Sequence, residues 1–310
     1  MTELEPRERP PFAPPAAAPA PGAAPVAAPV AAPVAAPAWP AVVTRGLVKR
    51  YDAKVAVDHI DLDVPNGCFF GLVGPNGAGK TTTIRMMTTL LRPDEGQVWI
   101  QGRDVWADPV AVKARIGVLP DEFKLFDRLT GAELLNYCGL LRALPGDVVA
   151  SRTDELLEVL DLKAAANTLV VDYSTGMRKK IALAAALLHG PDVLFLDEPF
   201  EAVDPVSTRA IRSVLERFTD GGHTVIFSSH VMEVVERICD RVAIVDQGRV
   251  IAEGPIDELR AGRRLEDVFV ELVGARDADA DALSWLDRPS AATAPEDRAV
   301  AGDTSRGPAE

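Results

Sequence analysis

Gly74-Pro75-Asn76-Gly77-Ala78-Gly79-Lys80-Thr81 is the stretch on which the fold turns. The apolar run Cys68–Val73 leads into it and the helical pattern Thr82–Leu91 leads out of it. A GxxxxGK[ST] spacing between a strand and a helix is that of a phosphate-binding P-loop. Its glycines let backbone N–H groups close around phosphate oxygens, and the next helix adds its N-terminal dipole. The reading predicts that Gly74, Asn76, Gly77, Ala78, Gly79 and Thr82 cradle a nucleotide. Lys80 reaches its β- and γ-phosphates, and the Thr81 hydroxyl ligates Mg²⁺.

Downstream, Val193-Leu194-Phe195-Leu196-Asp197-Glu198 places four apolar residues before two carboxylates. Such a run reads as a buried strand ending in acids, where a P-loop protein needs a metal-coordinating group. Asp197 is then the Mg²⁺ partner, and Glu198 is free to polarise a water for attack on the γ-phosphate.

Between the two motifs, Tyr173-Ser174-Thr175-Gly176-Met177-Arg178 opens an Ala/Leu-rich helix. Here the sequence resembles the nucleotide-binding subunit of ATP-binding-cassette (ABC) transporters, whose signature at this place reads approximately LSGGQ. The resemblance spans Val42 to about Gly274. It implies that Ser174, Gly176 and the Thr175 amide contact the γ-phosphate held by an opposite subunit. It also makes Tyr51 the aromatic that stacks on adenine, Asp204 of Glu201-Ala202-Val203-Asp204 a residue facing the partner subunit, and His230 the switch histidine. Lys80, Glu198 and His230 are thereby the catalytic set.

Two positions depart from the pattern. Asp121 follows Ile116-Gly117-Val118-Leu119-Pro120 where the family carries glutamine, and Thr175 replaces the first signature glycine. The shorter acid reaches less far toward Mg²⁺, and its charge opposes the phosphates. An acid after Leu-Pro, together with Leu265-Glu266-Asp267-Val268-Phe269, resembles export-type, two-component systems. The resemblance implies ATP and Mg²⁺ as cofactors and a separate integral membrane permease as partner. It further implies a homodimer, or a pair with a second ATPase subunit, at the cytoplasmic face of the membrane. The alternative is a non-transport or regulatory ATPase that binds ATP and hydrolyses little.

Composition agrees with this and excludes other classes. Lys plus Arg is 33 against 46 for Asp plus Glu, a net charge of −13 over 310 residues. A chain so acidic is a poor holder of nucleic acid. Cys68, Cys138 and Cys239 lie far apart without CxxC spacing, which argues against a disulfide framework or a zinc site. Of 25 prolines, 11 fall between Pro10 and Pro40, where Ala-Ala-Pro-Val recurs three times and no residue is charged. Proline at this spacing forbids a helix, and alanine with proline builds no core. Residues 1–40 are therefore expected to be a disordered arm, and the acidic residues 275–310 a disordered tail.

The remaining body, residues 41–274, reads as one ATPase domain. Its strand-like runs are Ala41–Val48, Val55–Val64, Cys68–Val73 and, after a turn at Pro93–Gly96, Gln97–Ile100. A mostly helical stretch follows, with Thr130 and Glu133 forming a capping-box pattern and a helical subdomain over about 122–180. Strand and helix then alternate from Val193 to Val245, arguing for βαβ units. The expected fold class is α/β: a P-loop NTPase core with a mostly parallel sheet, an N-terminal antiparallel β region and a helical subdomain.

Overall fold

The first two apolar runs pair with each other. β1 (Val42–Tyr51) and β2 (Lys54–Val64) are antiparallel, and Tyr51 faces Lys54 across a two-residue turn in which Asp52 is left-handed (φ 50°). β3 (Phe69–Val73), buried at every position, runs into the P-loop and α1 (Lys80–Met87). β4 (Glu95–Ile100) and the short β5 (Arg103–Asp104) follow, then α2 (Pro109–Arg115) and β6 (Ile116–Leu119). Helices α3 (Gly131–Leu141), α4 (Gly146–Val159) and α5 (Thr175–Leu187) form the helical region. The chain closes with β7 (Val193–Asp197), α6 (Pro205–Asp220), β8 (Thr224–Ser229), α7 (Met232–Ile238), β9 (Arg241–Asp246), β10 (Arg249–Pro255), α8 (Ile256–Arg260) and α9 (Leu265–Val273). This computed structural model describes residues 39–121 and 123–273, so the expected tail, Glu122 and all of the expected arm but Trp39 and Pro40 lie outside the described residues.

Two sheets result. One is antiparallel in the order β2-β1-β4-β5, and the other runs β10-β9-β3-β8-β7-β6. In the second, every pairing from β9 to β6 is parallel, and β10 joins its edge antiparallel. Strand alternation divides the core in two. Phe69 and Val73 of β3, with Leu194, Leu196, Val225 and Phe227, pack against the helical region through Leu135, Leu157 and Ile181. Phe70 and Leu72, with Phe195 and Ile226, pack against α1 and the antiparallel sheet through Ile84, Met86, Leu47, Ile60 and Ile100. A sheet covered on both faces explains why these strands read as unbroken apolar runs.

The expected α/β class, with its antiparallel region, parallel sheet and helical region, is the observed one. The Thr130–Glu133 capping box is present, each side chain accepting from the other residue's backbone N–H. Three local expectations are corrected. The first helix starts at Lys80 and ends at Met87, because Thr89 turns left-handed (φ 62°). The helix that the sequence pattern suggests over Ser151–Leu160 begins at Gly146 as α4, because Pro145 (φ −57°) leads directly into it. The stretch after Ile100 is not uniformly helical, since β5 and β6 lie within it.

Candidate functional site

The ends of neighbouring parallel strands bring distant residues to one edge. The P-loop leaves β3, Asp121 lies just beyond β6, Asp197 ends β7, and His230 follows β8. They meet at a cleft of about 470 Å³ lined by Tyr51, Asn76, Gly77, Gly79, Lys80, Thr81, Thr82, Asp121, Glu198 and His230, together with Lys54, Ala56 and Glu201. That volume falls in the range of small-molecule sites.

The loop itself depends on glycine. Gly79 caps α1 with φ 107°, and a Cβ there would sit 2.5 Å from the Ala56 carbonyl oxygen. Lys80 is buried, and its ammonium donates to the Gly74 carbonyl at 2.7 Å and the Pro75 carbonyl at 3.2 Å. Its Nζ is also 3.6 Å from Glu198 Oε1. Burial lowers the Lys80 pKa, and the Glu198 carboxylate works against that shift. A phosphate would enter a setting already shaped for a cation held at this point.

Beneath the cleft is a polar chain. Thr81 Oγ1 donates to Asp197 Oδ1 at 3.1 Å, and Ser228 Oγ donates to the same oxygen at 2.5 Å. The Ser228 hydroxyl in turn accepts from the Glu198 N–H at 3.0 Å. Parallel pairing of β7 with β8 sets Asp197 opposite Ser228, which makes these contacts possible. Burial raises the Asp197 carboxyl above its usual range; hydrogen bonds from Ser228 and Thr81 pull it down, and nearby Asp121 pushes it up.

Glu198 leaves the strand in a left-handed conformation (φ 48°), a region costly for a side chain of this kind by about 1–3 kcal/mol. The bend turns its carboxylate into the cleft. His230 Nδ1, shielded from solvent, is 3.1 Å from Glu198 Oε1 without the alignment of a hydrogen bond. Tyr51 is 46% exposed at the hairpin tip, with the Lys49 ammonium 5.9 Å from its ring centre, and so offers a face for stacking.

Other residues singled out in the sequence lie elsewhere. Gly74 and Ala78 supply loop backbone and do not line the cleft. Ser174 caps α5, its Oγ accepting from the Met177 N–H at 3.2 Å. Gly176 is packed so tightly that a Cβ would meet Asp204 Oδ2 and Ser207 Oγ, each at 2.7 Å. Asp204 caps α6, accepting from the Val206 and Ser207 N–H groups. None of Ser174, Gly176 and Asp204 borders the cleft.

A model of the ABC transporter family matches residues 57–201. The daunorubicin resistance ATP-binding protein DrrA3 of Streptomyces coeruleorubidus is 42% identical over 234 residues, covering 74% of each chain. The chain belongs to the ATP-binding proteins of ABC transporters. A Nod factor export ATP-binding protein of Cupriavidus metallidurans is 38% identical over 215 residues, 69% of this chain and 71% of that one. A solved ATP-binding subunit of an ABC transporter superposes with a TM-score of 0.70 at 28% identity, covering 75% of this chain and 99% of that chain.

Membership makes the chain an ATP-binding ATPase and sharpens which of its residues sequence reasoning overlooked. Ser228 is one, hidden as the end of an apolar strand. Lys179 is another. Together with Arg178 and Lys180 it reads as a basic group that draws in ATP, but the three turn to other partners. Arg178 pairs with Asp127 at 2.9 Å, and Lys180 donates to the Asp161 carbonyl at 3.2 Å. Lys179, 7% exposed, donates to the Glu198 carbonyl at 2.6 Å. Apolar helix packing draws these stems inward, so the charge run is not a solvated face.

Proposed function

We propose that this chain is the ATP-hydrolysing subunit of an export-type ABC transporter, working as a dimer against a separate integral membrane permease. The observation that carries the hydrolytic part is the joining of P-loop, Asp197 and Glu198 through Thr81 and Ser228. In this reading the loop amides and Lys80 hold the β- and γ-phosphates. Glu198 accepts a proton from the attacking water as that water bonds to the γ-phosphorus, and the bond to the ADP oxygen breaks. His230, beside Glu198, orients that carboxylate and the γ-phosphate, and Tyr51 stacks on the base.

Mg²⁺ fits the residues present. Thr81 Oγ1 and Asp197 Oδ1 are hard oxygen donors 3.1 Å apart, and Asp121 faces the same cleft. Among the described residues no three His, Cys, Asp or Glu side chains gather into a metal site of their own. That suits an ion held by one or two protein oxygens plus substrate phosphates. The ion would neutralise developing charge on the phosphate oxygens.

Ser174 supports the dimer. Exposed at the start of α5 and apart from the cleft of its own chain, it can meet the γ-phosphate of a second copy, with Gly176 packed beneath it against Asp204. Export is favoured by the relatives, which include a Nod factor export ATP-binding protein and a daunorubicin resistance ATP-binding protein. No helix among the described residues is long and apolar enough to cross a membrane. In this reading a separate permease provides the path, with this chain peripheral on the cytoplasmic face. The test is Glu198→Gln. Turnover should vanish while ATP binding persists and an ATP-dependent dimer accumulates; undiminished turnover refutes the assignment.

A further inference from the structure

We infer that Lys179 is a positioning residue for Glu198, gripping the backbone of that glutamate from the signature helix so that its carboxylate stays aimed into the cleft. The inference rests on the reading of Glu198 as the group that activates water. Its geometry is independent of that reading. Lys179 lies on the inward edge of α5, between the buried Gly176 and Leu183, and its Nζ is 2.6 Å from the Glu198 carbonyl oxygen. The other side of the same residue is held from β8, where Ser228 Oγ accepts from the Glu198 N–H at 3.0 Å.

Glu198 thus has its N–H held from a strand and its C=O held from a helix, with the Glu201 N–H adding a longer contact to that carbonyl at 3.3 Å, while its φ of 48° is one that glutamate rarely adopts unaided. The two contacts together specify the bend. Burial lowers the Lys179 pKa, and the acids around it, Glu201, Asp121, Glu198 and Asp197, work against that shift in favour of the ammonium. An ordinary core lysine would send its head group to water along an apolar stem. This one ends on the main chain of the residue that performs the chemistry.

Without that hydrogen bond the Glu198 carbonyl keeps only the longer contact from the Glu201 N–H, at 3.3 Å within its own turn, and the peptide can relax out of the left-handed region. The carboxylate then moves relative to the γ-phosphate, and a displacement of about 1 Å can cost roughly 100-fold in rate. The P-loop, Tyr51 and Thr81 are untouched, so nucleotide affinity is not the quantity that changes.

The experiment compares wild type, Lys179→Met, Lys179→Gln, Lys179→Arg and Glu198→Gln in the full-length chain, with kcat and KM for ATP hydrolysis and equilibrium ATP binding. Lys179→Met should lower kcat about 10- to 100-fold, with KM and ATP affinity within about twofold. Lys179→Arg, which keeps a charged donor, should recover most of the rate, and Lys179→Gln should fall between. Wild-type kcat in Lys179→Met overturns the inference. Loss of ATP affinity or of folding along with turnover across the series also overturns it, because the lysine then supports the fold or the nucleotide. Glu198→Gln separates the two readings. If it still turns over, the assignment of Glu198 fails. If it is dead while Lys179→Met is not, only the role of Lys179 fails.

Discussion

Ser228→Ala tests the polar chain under the cleft most directly. The Ser228 side chain is fully buried, donates to a carboxylate oxygen at 2.5 Å and accepts the Glu198 N–H at 3.0 Å. A hydrogen bond to a charged group contributes about 1.5–3 kcal/mol, and a buried donor left unpaired costs about 1–3 kcal/mol. Alanine opens too little space for a water to replace both contacts. Allowing for partial relaxation, unfolding free energy should fall by about 2–4 kcal/mol, and Tm by about 5–15 °C for a body of this size. Urea unfolding followed by circular dichroism reads the change, with an unaltered m-value showing that the mechanism of unfolding is the same. A double-mutant cycle with Asp197→Asn isolates the contact to the carboxylate, and its coupling should be about 1 kcal/mol or more. A loss below about 0.5 kcal/mol for Ser228→Ala, within the range of an ordinary surface change, would refute the reasoning.

Asp197→Asn should abolish turnover and yet raise the Tm of the nucleotide-free protein. Burial raises this carboxyl on folding, so its charge costs stability at neutral pH, and that cost disappears as pH falls below the unfolded value. A lowered Tm at pH 7 would contradict this. Gly176→Ala drives a methyl group against Asp204 and Ser207, and should destabilise by about 1–3 kcal/mol while slowing turnover, read by urea titration and steady-state kinetics. Thr130→Ala removes a helix cap and should cost about 1 kcal/mol at pH 7. The Thr130 N–H and hydroxyl hold the Glu133 carboxyl below its usual value, so that part of the stability is present above the unfolded pKa and lost as pH falls through the folded one. The gap between wild type and variant should therefore narrow in acid, as unfolding at pH 7 and pH 3 would show.

The elements legible in the sequence were those whose physics is local. β3, β7 and β8 declare themselves as apolar runs because both faces are covered, and α3 through a capping box four residues long. The P-loop needs only its own spacing and flanks. What escaped depends on partners far along the chain. β6 is four residues and becomes a strand only by pairing with β7. Ser228 acquires its role from the register that sets it opposite Asp197, which no window around residue 228 contains. Lys179 looks like part of a solvated basic run until α5 is seen lying with that edge against the turn after β7.

β3 sits between β8 and β9 and forms its ladders with those two strands. Its entry is tied to β8 across 157 residues, through the Gly67 N–H and the Thr224 hydroxyl. A ribosome therefore releases the P-loop and its apolar strand long before either neighbour exists. Until Arg241–Asp246 emerges, Phe69–Val73 is a buried-type strand with an open edge, the kind of segment most prone to wrong association. Parallel pairing over such a separation is also slow to close. Nascent chains stopped short of β9 should thus be clients of holding chaperones.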